Sequence, residues 1–125
     1  MKFEYLPNGS PDCPLIRLFE FNQAEARSLS DLVRSLVTGE CQSVALQSEV
    51  WAESVGGCRL NLRRDARNQG VHELDPMSFE CVLSSGGWSN VHGLLDPFCD
   101  LHPAGFQWLT REGSVSLLIS QNGQW

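Results

Sequence analysis

Asn22-Gln23-Ala24-Glu25-Ala26-Arg27-Ser28-Leu29-Ser30-Asp31-Leu32-Val33-Arg34-Ser35-Leu36-Val37-Thr38-Gly39 is the stretch whose reading decides the fold. The Asn22 side chain can accept from the unpaired N–H groups that open a helix, and Glu25 stands three residues on, the spacing of a capping box. Ala26, Leu29, Leu32, Val33, Leu36 and Val37 recur at three- and four-residue intervals, which gathers them into one apolar stripe. Gly39 stands where a left-handed C-cap is wanted. The pattern predicts a helix over residues 22–38, with Arg27, Ser30, Asp31 and Arg34 left for solvent.

On both sides of this helix the period falls toward 2. Upstream, residues 2–6 alternate weakly and residues 15–21 are apolar at nearly every position, as in a strand covered on both faces. The segment between them carries three prolines and an Asn-Gly step in eight residues, a turn-rich loop that fits two antiparallel strands. Downstream, residues 42–48 and 58–64 alternate, with Leu60 and Leu62 facing in and Arg59, Asn61 and Arg63 facing out. A polar turn at 65–70, a short return strand at 71–74 and a further strand at 78–84 follow, broken by Gly86-Gly87. Val91, Leu94, Leu95 and Phe98 then mark a short helix over about 89–96, begun by Ser89 or Asn90 and stopped by the Pro97 ring. Residues 106–110 and 114–120 form a hairpin around Arg111-Glu112-Gly113, with Trp108 in the core. Strands with one long and one short helix make an α+β fold. The expected architecture is a single domain over 1–125, an antiparallel sheet of about five to seven strands with the long helix on one face.

The 125 residues are 42% hydrophobic and 19% charged, enough apolar material to fold without metal or disulfide staples. Cysteines at 13, 41, 58, 81 and 99 form no C-x-x-C pair, so reduced thiols in a cytoplasmic protein are expected. A net charge of -6 argues against general nucleic-acid binding, and the absence of a long apolar run against a membrane span. That charge is uneven. Residues 59–67 hold four arginines and one aspartate, a local +3, while the remainder holds five basic and fourteen acidic residues, or -9.

Three constellations can carry chemistry. His92, Asp96, Cys99, Asp100 and His102 fall within eleven residues, and the i, i+4 pair His92/Asp96 with Cys99-x-x-His102 has spacings compatible with one divalent metal. Ser84-Ser85-Gly86-Gly87 lies between a strand and a helix, where free N–H groups can receive an anion, with Arg59, Arg63, Arg64 and Arg67 as its cationic supply. Trp88 lies beside a turn and next to the arginines in composition, the make-up of an interface anchor, although a core indole is the equal alternative. Gly87-Trp88-Ser89-Asn90-Val91 lacks the closing glycine of a nucleophile elbow, and Ser89 is better explained as a helix cap.

The expected function is a non-catalytic protein-interaction or ligand-binding module with no resident cofactor, served by a protein partner or a homodimer. The alternative is a small metal- or anion-dependent hydrolase-like enzyme with a site near His92, Asp96 and His102.

Overall fold

A computed structural model describes residues 1–100 and 105–125. Strand β1 (Lys2–Leu6) pairs antiparallel with β2 (Leu15–Phe19) across the proline-rich loop, as its composition predicts. Helix α1 (Gln23–Thr38) follows with both halves of the capping box formed: Glu25 N donates to Asn22 Oδ1 at 2.8 Å and Asn22 N to Glu25 Oε1 at 3.0 Å. Gly39 closes it at φ 83, a left-handed conformation that glycine adopts without a Cβ penalty. Ser30, expected on the solvent side, is buried, so the stripe is wider than its apolar residues alone.

The remaining elements are β3 (Ser43–Ala45), β4 (Glu53–Val55), β5 (Arg59–Arg64), β6 (Gly70–Asp75), β7 (Ser78–Leu83), α2 (Ser85–Leu95), β8 (Phe106–Thr110) and β9 (Ser116–Ser120). The fold is α+β, but the single antiparallel sheet is replaced by two mixed sheets, of five strands in the order β4-β1-β2-β9-β8 and four in the order β3-β5-β7-β6. Parallel pairs β1–β4, β2–β9 and β5–β7 sit among antiparallel ones. Burial explains the order. β7 hides Phe79, Cys81, Val82 and Leu83 on both faces and takes an interior place between β5 and β6. β6 buries only Gly70 and Val71 and exposes Glu73, Leu74 and Asp75, which suits an edge. The polar turn after β5 therefore does not fold β6 back onto it. β2 and β9 are likewise buried on both faces and lie side by side in the larger sheet.

Helix α2 begins earlier than the apolar spacing predicts. Ser84, not Ser89, is its N-cap, its Oγ accepting from Gly87 N at 3.1 Å, and Gly86 and Gly87 form part of the first turn instead of a break. Trp88 extends the stripe of Val91 and Leu95 by a turn, and its burial is what the extra turn gains. A 3-10 turn over Asp96–Cys99 with Pro97 near its start ends the segment, as the proline ring requires.

The two helices pack against each other, and their stripes meet side chains from both sheets, Leu60 and Leu62 of β5 with Leu18 and Leu117 of the larger sheet. A void of only about 10 Å³ remains between them, apolar and at the lower limit of what a water needs. The sheets also touch directly. Val71 and Val115 form an antiparallel bridge, and the Tyr5 and Phe79 rings stack with centroids 4.4 Å apart. Trp108 is only half buried beside the exposed Phe106, with the Arg111 guanidinium 4.1 Å above its ring. β8 is an edge strand of the larger sheet and has a register shift between Trp108 and Thr110. No helix among the described residues is long and apolar enough to cross a membrane.

All five cysteines are free. Cys41 is exposed, Cys13 and Cys99 are half-buried, and Cys58 and Cys81 are buried. Burial pushes the Cys81 thiol far above its usual range, so almost none is thiolate near neutrality. In a thiol-labelling time course Cys41 is expected to react first and Cys58 and Cys81 only on unfolding; Cys81 labelling in folded protein at the rate of Cys41 would contradict this packing.

Candidate functional site

The strand–cap–helix segment predicted to receive a ligand does border a cleft, of about 300 Å³. Three separate parts of the chain build it. The first is the end of β7 and start of α2, where Ser84 caps the helix. The second is the loop between β5 and β6, whose Asn68 Oδ1 accepts from Ser84 N at 2.9 Å and from Ser84 Oγ at 3.0 Å. The third is the β8–β9 turn with Thr110 and Glu112, Glu112 N donating to Thr110 Oγ1 at 3.2 Å. Asn90, one turn along α2, completes the polar lining.

Gly87 is there because of Asn68: a Cβ at that position would run into Asn68 Oδ1. Glycine in a helix costs about 1 kcal/mol against alanine, so this close approach is maintained at the expense of helix stability. Among the described residues, the Asn68 amide NH2, both ends of the Asn90 amide and the Glu112 carboxylate make no hydrogen bond within the chain. All three residues belong to the lining of the cleft.

The arginines are elsewhere. Arg64 Nη1 donates to Leu36 O at 3.2 Å and Val37 O at 3.0 Å, closing carbonyls at the C-terminal end of α1 that have no helical partner. Arg63 reaches Asp65 at 2.8 Å and Glu80 at 3.2 Å. The Asp65 carboxyl is held below its usual range first by the Ala66 amide and then by Arg63. Arg59 is exposed at the opposite end of β5 from Arg64. Among the described residues no Lys or Arg lines the cleft, although Arg67, exposed, directly precedes its residue Asn68.

Trp88 is 1% exposed, with Nε1 donating to Arg63 O at 3.0 Å. It is a core indole whose polar edge is satisfied, and it offers nothing to an interface. No family model, no curated protein and no solved structure matches this chain.

His92, Asp96 and Cys99 lie on α2 and the 3-10 turn after it, and His102 lies outside the described residues. Among the described residues, no three His, Cys, Asp or Glu side chains stand close enough together to hold a metal ion. The Cys99 thiol is raised by burial and then by Asp96, and Sγ lies 3.6 Å from Leu95 O as a donor, so it is held protonated and is a poor ligand in that state. His92 Nε2 is buried without a partner among these residues.

Asn68, Asn90, Thr110 and Glu112 were not singled out by sequence reasoning. Only Ser84-Ser85-Gly86-Gly87 pointed toward the place. The pairing that brings Glu112 there, Val71 N to Glu112 O at 3.3 Å, joins residues far apart in the chain and has no local signature.

Proposed function

We propose that this chain is a non-catalytic binding module for a small polar molecule, held in the cleft between the start of α2, the β5–β6 loop and the β8–β9 turn. The observation that carries the reading is the convergence of three chain segments on about 300 Å³, the lower end of ligand-pocket sizes, with amide and carboxylate groups left unspent. Binding is favoured over catalysis by what lines the cleft. Among the described residues it holds no His, Cys, Lys or Arg, so proton transfer near neutral pH would fall to Glu112. Five free thiols support a reducing compartment such as the cytoplasm, and the acidic balance supports a partner other than nucleic acid.

A thermal-shift panel of small polar molecules tests the reading. A ligand at 100 times its Kd adds about 2.7 kcal/mol of stability, a rise of roughly 10 °C in Tm for a chain of this size. Asn90→Trp, a bulky replacement on the exposed rim, is expected to abolish that rise while leaving the unliganded Tm nearly unchanged. A stabilising ligand whose effect survives Asn90→Trp would place binding elsewhere.

A further inference from the structure

We infer that the molecule this cleft takes is a small hydroxyl-bearing amine, an amino alcohol or amino sugar, and not a phosphate or carboxylate; the inference rests on the cleft being the binding site. Among the described residues, Glu112 is the only ionisable one in the lining. An anion there would face a carboxylate with no cation in the described lining to offset it: Arg63 and Arg64 are committed to Asp65, Glu80 and the α1 carbonyls, and Arg67, which precedes Asn68, is not among the lining residues. An ammonium group beside Glu112 gains a charge-assisted hydrogen bond, about twice as strong as a neutral one.

The rest of the lining suits hydroxyls. Asn90 offers both a donor and an acceptor, Asn68 its NH2, and Thr110, whose oxygen accepts from Glu112 N, keeps its own O–H to donate. A hydroxyl both donates and accepts, so it can satisfy these groups in either sense. The first-turn amides of α2 prefer electron-rich atoms, which places a ligand oxygen at Gly86 and the ammonium toward Glu112. The volume suits a group about the size of one sugar ring.

Calorimetric titration of the full chain with glucosamine, ethanolamine, glucose and inorganic phosphate tests this, using wild type, Glu112→Gln and Asn90→Trp. Glucosamine is expected to bind about tenfold more tightly than glucose, a gap that closes in Glu112→Gln. Its affinity should fall as salt is raised, and phosphate should not bind. Glu112 is exposed and makes no side-chain hydrogen bond among the described residues, so Glu112→Gln should keep the wild-type Tm, which serves as the folding control. Equal affinity for glucosamine and glucose in wild type, tighter binding of phosphate, or no binding of either amine overturns the assignment of the ligand. If glucose or phosphate binds and Asn90→Trp blocks it, the cleft stands and only the ligand class fails. If a probe binds equally well to Asn90→Trp, the cleft itself is the wrong site.

Discussion

Replacing Trp88 by alanine is expected to lower the unfolding free energy by about 3–5 kcal/mol, the range for removing a large aromatic side chain from a core. Trp88 is among the largest fully buried side chains, and it already borders the small void between the helices. Neighbours from α1, β5 and β9 cannot all collapse into the space it leaves, so the cavity term adds to the lost transfer term. The substitution also strips the Arg63 carbonyl of its 3.0 Å indole donor. Trp88→Phe keeps most of the volume and loses the hydrogen bond, so its cost should be nearer 1–2 kcal/mol. Chemical denaturation of the three proteins measures both. A loss under 1 kcal/mol for Trp88→Ala would mean that the indole is not in the core and would reopen its reading as an interface anchor.

Gly70→Ala should be nearly as damaging, at about 2–4 kcal/mol, for a backbone reason. Gly70 has φ 76, and a Cβ there would run into the carbonyl group of Glu112 and toward the amide of Gly113. Those are main-chain atoms, so no side-chain rotation relieves the clash. The contact lies where β6 meets the β8–β9 turn, next to the Val71–Val115 bridge that joins the two sheets. Gly9→Ala is the control. Gly9 also has positive φ, at 107, but nothing stands within 4 Å of its Cβ position, so only the conformational cost of about 1 kcal/mol applies. Equal losses at the two positions, measured by urea unfolding, would show that the sheet junction is looser than described. Gly70→Ala is also expected to weaken ligand binding, because Glu112 must move to make room.

What could be read from the sequence was local. The α1 boundaries, the β1–β2 pair and the β8–β9 hairpin depend on caps, turn residues and side-chain period within a few residues of one another, and these were legible. The sheet order was not. Placing β7 between β5 and β6 depends on which strand has both faces to bury, a comparison of segments competing for the same interior position. The start of α2 was obscured because two glycines, ordinarily breakers, stand in its first turn, and one of them, Gly87, makes room for Asn68 from a distant loop. The arginines of β5 read as a basic patch because their partners, Glu80 and the α1 carbonyls, come from other elements. The cleft was legible only through Ser84-Ser85-Gly86-Gly87, since its other walls arrive through tertiary pairing.

An amide-resolved NMR titration of the full chain with the best-stabilising molecule from the thermal panel tests directly whether the cleft is the binding site. The amides of Asn68, of Ser84 to Gly87 and of Thr110 to Glu112 are expected to shift together and to saturate with one Kd. A ligand that saturates while those amides stay still and others move, for instance around the exposed Val50 and its neighbour Trp51, would contradict the account.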